Sequence, residues 1–424
     1  DRLGLIIVDE EHEAAYKQTD GVRYNARDMA VVRGRIEAAA VVLASATPSV
    51  ESRVNAMAGR YRHVILPDRY GGAQLPVLSA IDLRRFPLTP GRWISAPLER
   101  MARETLAAGE QVLFFLNRRG FAPLTLCNRC GHRWQCPHCT AWLVEHRFRR
   151  ALVCHHCGHT EPRPMTCSAC GGEETLRAVG PGVERLADEV AGLFPEARRI
   201  VLSSDFPGGT ERLRRELQAI ADGAFEIVIG TQLVAKGHNF PRLTLAGVVD
   251  ADVGLSSADP RAGERTFQIL TQVTGRAGRA DRPGRGVIQT TQPEHPVISA
   301  ILSQDRERFY AEEIAQREAG SLPPFGRMAT LIITAADRSV AETTIRLVGR
   351  AGLARAAATA SDVMILGPAE PPLAMIRGRH RMRLILKAPR AFDLQGFIRA
   401  VVADAGPMRG GARLEIDIDP QQFL

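Results

Sequence analysis

Eight cysteines fall between positions 127 and 170, and every one belongs to a Cys-x-x-Cys pair: Cys127/Cys130, Cys136/Cys139, Cys154/Cys157 and Cys167/Cys170. Two thiolates at that spacing can point at one ion, and a structural zinc takes four ligands in a tetrahedron. The competing readings are disulfides or a redox motif. Disulfide frameworks belong chiefly to small secreted domains, so tight clustering in a 424-residue chain favours metal. Eight thiols supply two closed sites, so two structural Zn²⁺ ions are expected. We expect a nested arrangement, with the outer pairs (Cys127, Cys130, Cys167, Cys170) around one ion. The inner pairs (Cys136, Cys139, Cys154, Cys157) then hold the other. Gly131, Gly158 and Gly171 stand where tight turns are needed. His132, His138, His155, His156 and His159 are expected beside solvent or DNA, because thiols already fill both sites.

Around this block the apolar pattern alternates between strand and helix. Leu3 to Val8 is apolar on both faces, the mark of a buried parallel strand, and Val41 to Ala44 is a second, with a helix over 26–39 between them. Val64 to Leu66 and Val77-Leu78 read as short strands near the end of this first lobe. A helix is expected over Pro97 to Ala108 and a strand over Val112 to Leu116. Beyond the cysteines come helices at 183–193, 211–220 and 266–273, with strands at 200–202, 225–229, 245–249 and 286–290. Strand–helix alternation implies parallel sheets with right-handed crossovers. The fold class is therefore α/β: two lobes, with the cysteine module inserted in the second. From about 303 a helix (Arg306 to Ala319) and two further alternations read as a small α+β domain. The expected divisions are 1–74 for the first lobe, 75–126 and 173–302 for the second, 127–172 for the insert and 303–424 for the terminal domain.

The formal charge of +8 gives a mild pull toward nucleic acid. No apolar run approaches the roughly 18 residues of a membrane helix, so no membrane partner is expected. The chain opens Asp1-Arg2 and enters an apolar run at once, unlike a signal peptide. A truncated chain in a reducing cytoplasm is expected.

Two motifs carry phosphate chemistry. Asp9-Glu10-Glu11-His12 ends the first strand, and acids at the carboxyl edge of a parallel sheet are where Mg²⁺–nucleotide sits. Asp9 would hold Mg²⁺ and Glu10 would polarise the attacking water. In Gln272-Val273-Thr274-Gly275-Arg276-Ala277-Gly278-Arg279, Arg276 and Arg279 share one face of a helical turn. Two guanidinium groups there can reach a γ-phosphate across a cleft.

Taken in order, these stretches resemble the motifs of superfamily 2 helicases. Asp9 to His12 is similar to motif II, Ser45-Ala46-Thr47 to motif III, and Phe115 to Gly120 to motif IV. Gly230 to His238 is similar to motif V and Gln272 to Arg279 to motif VI. A cysteine insert directly after Asn117 to Pro123, with Ala15 to Gln18, Arg23 to Asp28 and Asp250-Ala251-Asp252, resembles the primosomal protein N′ family of replication-restart helicases. The resemblance implies two RecA-like lobes, the first partial, a double zinc-ribbon insert and a C-terminal α+β DNA-binding domain. It implies a 3′-to-5′ DNA helicase and DNA-dependent ATPase using ATP with Mg²⁺. The implied partners are forked, branched or single-stranded DNA, single-stranded-DNA-binding protein, other primosome proteins and the machinery that loads the replicative helicase, in a bacterial, nucleoid-associated setting.

By position, the stretch His12 to Tyr24 resembles an aromatic-rich loop that couples DNA contact to ATP hydrolysis. Tyr16 and Tyr24 would stack on bases and Lys17 would meet phosphate. Gln272 would join Asp9, Glu10, Arg276 and Arg279 in the catalytic set, Ser45 and Thr47 would join nucleotide and DNA coupling, and Thr231, Gln232 and Lys236 would face DNA backbone and the nucleotide cleft. Asp250 and Asp252 would support that cleft. Arg133, Trp134 and His138 of the insert, and Arg377, Arg379 and Arg381 of the terminal domain, are the implied DNA contacts. One departure stands out: no Gly-x-x-x-x-Gly-Lys-Thr phosphate loop occurs, and Gly208-Gly209-Thr210 lacks the Lys. The chain alone is therefore expected to be inactive as an ATPase. The alternative is a non-catalytic, zinc-containing DNA-binding scaffold.

Overall fold

A computed structural model describes residues 3–18, 21–66, 74–117, 124–127, 129–134, 136–137, 143–146, 151–154, 159–173, 175–179, 183–202, 209–231, 240–256, 259–278, 282–372, 374–376 and 378–423. At the amino end, β1 (Leu5–Val8) crosses over through α1 (Ala26–Glu37) to a parallel partner, β2 (Ala40–Leu43). Asn25 starts α1 by accepting the Arg27 amide, and Ala38 ends it in the left-handed conformation. Ser49 caps α2 (Val50–Met57) in the same way. The crossover is as expected, but the burial is not. With only two strands described, Leu5 stays 51% and Ile7 64% exposed. Val64, Ile65 and Leu66 are exposed and form no strand.

The second lobe begins with β3 (Val77–Asp82), α3 (Ala96–Ala107) and β4 (Gln111–Leu116). Ser95 caps α3 with Pro in its first turn, and Gly109, at φ +72°, ends it. The cysteine insert follows as a small antiparallel sheet of β5 (Leu124–Cys127), β6 (Val144–His146), β7 (Ala151–Val153), β8 (Thr160–Pro162) and β9 (Leu176–Val179), in the order β8-β7-β6-β5-β9. The lobe then resumes with α4 (Val183–Leu193), β10 (Arg199–Leu202), α5 (Gly209–Ala221), β11 (Ile227–Gly230) and β12 (Leu243–Asp250). It continues through α6 (Asp252–Leu255), α7 (Ala262–Thr274), β13 (Arg285–Thr290) and α8 (Pro296–Leu302).

Its six strands are all parallel, in the order β10-β11-β4-β12-β13-β3. Val77-Leu78 therefore belongs to the edge of this sheet rather than to the first lobe. Every residue of β4, β11 and β12 is buried, as a sheet covered on both faces requires. Period-2 alternation divides the core: Val112, Phe114 and Leu116 meet α3 and α4, while Leu113 and Phe115 meet α5, α7 and α8. Phe309, from α9 (Arg306–Ala319), stacks on Phe267 of α7 with centroids 3.9 Å apart.

The carboxyl-terminal region is α+β. It contains β14 (Gly326–Ala335), α10 (Arg338–Ala358), β15 (Met364–Ala369), β16 (Met375–Ile376), β17 (Arg379–Pro389), α11 (Leu394–Ala405) and β18 (Arg413–Ile418). The sheet is antiparallel, ordered β15-β17-β14-β18, with β16 on β17. Leu384 and Leu386 of β17 pack with Ile345 and Val348 of α10 and Ile398 and Val401 of α11. Among the described residues no helix is long and apolar enough to cross a membrane.

Candidate functional site

The sulfur atoms of Cys127, Cys130, Cys167 and Cys170 all lie within 4.8 Å of one another. Cys127 and Cys170 are 3.7 Å apart, as are Cys130 and Cys167. A tetrahedron with Zn–S bonds of about 2.3 Å has edges of about 3.8 Å, so the set fits one zinc ion. Each pair forms a knuckle: Gly131 and Gly171 adopt positive φ (75° and 66°), and their amides donate to the Cys127 and Cys167 carbonyls at 2.9 Å. Burial alone would raise the Cys127 thiol. Its hydrogen bond with Thr175 and those from the Cys130 and Arg129 amides instead bring it to about 6, while the neighbouring Cys130 thiol is pushed up to about 12, so within the cluster Cys127 is the readier thiolate. Cys136 and Cys154 are buried in the same small core, whereas Cys139 and Cys157 lie outside the described residues.

The insert is seated on the second lobe through Arg133, which is 6% exposed. Its Nη2 is 3.7 Å from Asp252 Oδ1, and the Gln292 amide, with its carbonyl turned inward, accepts from Nη1 at 2.8 Å and Nε at 2.9 Å. Arg133 and Trp134, expected at DNA, are thus buried, the first in this pocket and the second in the insert core. His138 lies outside the described residues. Asp250 is also buried, and one of its carboxylate oxygens, Oδ2, has no hydrogen-bond partner among the described residues. Burial, with the Asp252 charge beside it, pushes its carboxyl up to about 7.

Across the cleft between the lobes, residues far apart in sequence converge. Glu10 sits in the turn after β1 at φ +47°. The Gln272 amide, from α7, donates to Glu10 Oε2 (3.4 Å) and to His12 Nε2 (3.1 Å). His12 Nδ1 is then the protonated nitrogen and donates to Ser45 Oγ at 2.7 Å, which also accepts the Thr47 amide at 3.0 Å. Gln268, one turn before Gln272, donates to the Thr47 carbonyl at 3.4 Å. The three stretches that resemble motifs II, III and VI therefore share one hydrogen-bonded cluster. Asp9 is exposed beside it, its carbonyl accepting the Tyr16 hydroxyl at 2.7 Å. Arg276 is 4% exposed at the end of α7, and Thr231 follows β11 at the carboxyl edge of the sheet. Arg279, Gln232 and Lys236 lie outside the described residues.

The loop after motif II folds onto the carboxyl-terminal sheet. Lys17 Nζ donates to the Ile418 carbonyl at 2.7 Å and pairs with Asp417 at 2.9 Å, while Arg23 pairs with Glu415 at 2.5 Å. Expected to meet phosphate, Lys17 instead meets an internal acid, because β18 brings carboxylates to the loop. Tyr24 is 41% exposed and remains available for stacking. Arg379 spends its guanidinium on the Thr334 and Gly411 carbonyls, and Arg381 is part-buried near Glu415. Arg377 lies outside the described residues.

Sequence reading missed a buried ion network where three segments meet. Arg317 of α9 bonds Glu264 at 2.7 Å and Glu313 at 2.9 Å. Arg261 pairs with Glu51 of α2 at 2.6 Å, and Glu264 also accepts the Val50 amide at 2.8 Å. Nothing local marks these charges as interior. Glu11 was also missed as a structural group: it is 2% exposed and accepts from Ser49, Ser52 and Arg27.

Two domain families match parts of the chain. The primosomal protein N C-terminal domain family matches residues 318–421, and the PriA DNA helicase Cys-rich region domain matches residues 136–162. The chain is 41% identical over 425 residues to the replication restart protein PriA of Rickettsia felis, covering 99% of this chain and 64% of that protein. It is 38% identical to the Bacillus subtilis replication restart protein PriA, over 95% of this chain and 50% of that one. Among solved structures, the Mycobacterium smegmatis helicase Lhr bound to ssDNA and AMP-PNP aligns with a TM-score of 0.37 at 16% identity, over 72% of this chain and 31% of Lhr. The chain thus spans between half and about two thirds of the length of these curated relatives, and over that shared length it belongs to the family of the replication restart protein PriA.

Proposed function

We propose that these residues carry the hydrolytic acids, the zinc module and the branched-DNA-binding domain of an ATP-driven replication-restart DNA helicase, with 3′-to-5′ polarity. The observation that carries the reading is the Glu10–Gln272–His12–Ser45 cluster. It joins an acid at a strand end to the helix that presents Arg276. Glu10 would polarise the attacking water while Gln272 fixes its carboxylate, and Asp9 would hold Mg²⁺. Arg276 and Arg279 would stabilise charge on the departing phosphoryl group. Zinc, when bound, supplies fixed geometry rather than catalysis, with Cys127, Cys130, Cys167 and Cys170 as one ligand set and Cys136, Cys139, Cys154 and Cys157 as the other. Tyr16, Tyr24, Ser45, Thr47, Thr231, Gln232 and Lys236 would link DNA contact to that cleft. Lys17 would act by anchoring the loop rather than by touching phosphate. Forked DNA, single-stranded-DNA-binding protein, primosome proteins and the replicative-helicase loading machinery are the proposed partners.

The test is DNA-stimulated ATP hydrolysis by these 424 residues alone and joined to a phosphate-loop segment from a relative. The joined form should turn over ATP, and Glu10→Gln should lower turnover about 10²- to 10⁴-fold. The second reading is a non-catalytic DNA-binding scaffold. It would replace the first if the joined form stayed silent while still binding forks.

A further inference from the structure

The insert and the second lobe meet at a built pocket rather than along a loose face. Arg133 lies between Cys130 and Cys136, and its backbone is fixed by the first knuckle. It bridges to Leu126, and the neighbouring His132 carbonyl accepts the Cys127 amide at 2.8 Å. On the lobe side, Asp252 is held before Arg133 arrives. Its Oδ1 accepts Thr290 Oγ1 at 2.5 Å, and its Oδ2 accepts the Thr291 amide at 2.8 Å and Thr291 Oγ1 at 2.6 Å. The backbone approach is close as well: a Cβ at Gly131 would lie 3.3 Å from the Thr291 Cβ. A guanidinium carries a full charge and five N–H donors, so burying it without matched acceptors is unfavourable. Here the matched groups are the Asp252 carboxylate and the Gln292 amide at the carboxyl ends of β12 and β13, with the charge of Asp250 close by.

We propose that Arg133 is a clasp coupling metal occupancy of the Cys127/Cys130/Cys167/Cys170 site to the order of the β12 and β13 ends, so that zinc binding and seating of the insert are one equilibrium. The knuckle aims Arg133 only while its cysteines are gathered. Without the metal the hairpin loses its constraint, and Asp252 and Gln292 lose their cation. Coupling of this kind is reciprocal, so an empty pocket must weaken zinc retention by the same factor that zinc loss weakens seating. The proposal rests on the zinc reading of these cysteines and is independent of ATP chemistry.

The experiment uses the full chain loaded with zinc, its metal content measured first. That measurement alone decides the zinc reading. Hydrogen exchange is then followed in residues 250–256 and 289–292, with zinc release timed against a chromogenic chelator. Stripping zinc from the wild-type chain should deprotect both segments, while exchange in β14 and β17 stays unchanged. Arg133→Gln should deprotect the same segments with zinc still bound and release zinc about tenfold faster. Stripping should then add nothing there. Gln292→Ala, a milder change on the lobe side, should move both readouts in the same direction. It decides the matter if Arg133→Gln fails to fold. Wild-type segments indifferent to stripping, or a Gln292→Ala chain that keeps wild-type protection and zinc release, would overturn the clasp.

Discussion

Replacing Arg317 with Ala tests whether the buried ion network holds the three segments together. Arg317 is 2% exposed and shares the site with Arg261, Glu51, Glu264 and Glu313. Two cations face three carboxylates, and the substitution leaves one against three. Removing one member of a buried ion pair costs about 3–5 kcal/mol. At a factor of ten per about 1.4 kcal/mol, amides of α2 and α9 should exchange roughly 10²- to 4 × 10³-fold faster, up to the ceiling of global unfolding. Native-state exchange suits a chain with several cores, where one global unfolding free energy is ill defined. Arg317→Met keeps most of the alkyl volume and should fare as badly, because charge rather than packing is missing. The sign of the pH effect follows from Glu313, whose carboxyl burial pushes upward against the pull of Arg317. A carboxyl raised in the folded state contributes stability that is intact below its unfolded pKa and lost as pH rises through the folded value. Removing Arg317 raises it further, so the defect should shrink toward about pH 5 and grow toward about pH 8. An acceleration under tenfold, or one of equal size at both ends of that range, would refute the reasoning.

Asp250→Asn should flatten a pH dependence. With its carboxyl at about 7 in the fold, the wild-type chain loses local stability as pH rises through that value, by about 1 kcal/mol between pH 6 and 8. Exchange of residues 243–256 should show the slope in the wild type and not in the variant. Cys167→Ser should lower zinc content from two equivalents to about one by atomic absorption, since a closed tetrahedral site does not tolerate loss of a ligand. Gly254→Ala would place a Cβ 2.3 Å from Asn117 Nδ2 and 2.5 Å from Thr266 Oγ1. Its cost, about 1–3 kcal/mol, should show as faster exchange in α6 and α7.

Much of this architecture was legible in the chain because it is local. Continuous apolar runs gave β4 and β12, helical spacing gave α7, and the Cys-x-x-Cys spacing gave the knuckles. Motif order placed Glu10 and Gln272 on facing lobes, and their hydrogen bond emerged only from the structure. What stayed hidden depends on partners distant in sequence. An Arg at 317 or 261 carries no local mark distinguishing it from a solvated one, and only Glu51 and Glu264 make it an interior group. Arg133 and Lys17 looked like DNA contacts because positive charge was visible and the carboxylates that neutralise it, Asp252 and Asp417, were not. Leu3 to Val8 looked buried because periodicity reports which faces are apolar and says nothing about how many strands lie beside them.

The loop between the acids and β18 has almost no slack. Tyr16 holds the Asp9 carbonyl and its immediate neighbour Lys17 holds Asp417, so consecutive residues grip two different parts of the molecule. Neighbouring Cα atoms are only about 3.8 Å apart. A slide of β18 must therefore be absorbed by these two side chains, or it breaks one of their bonds. The turn bearing Glu10 and the edge strand of the terminal sheet are thus joined across a single peptide unit, so a displacement of one is felt at the other.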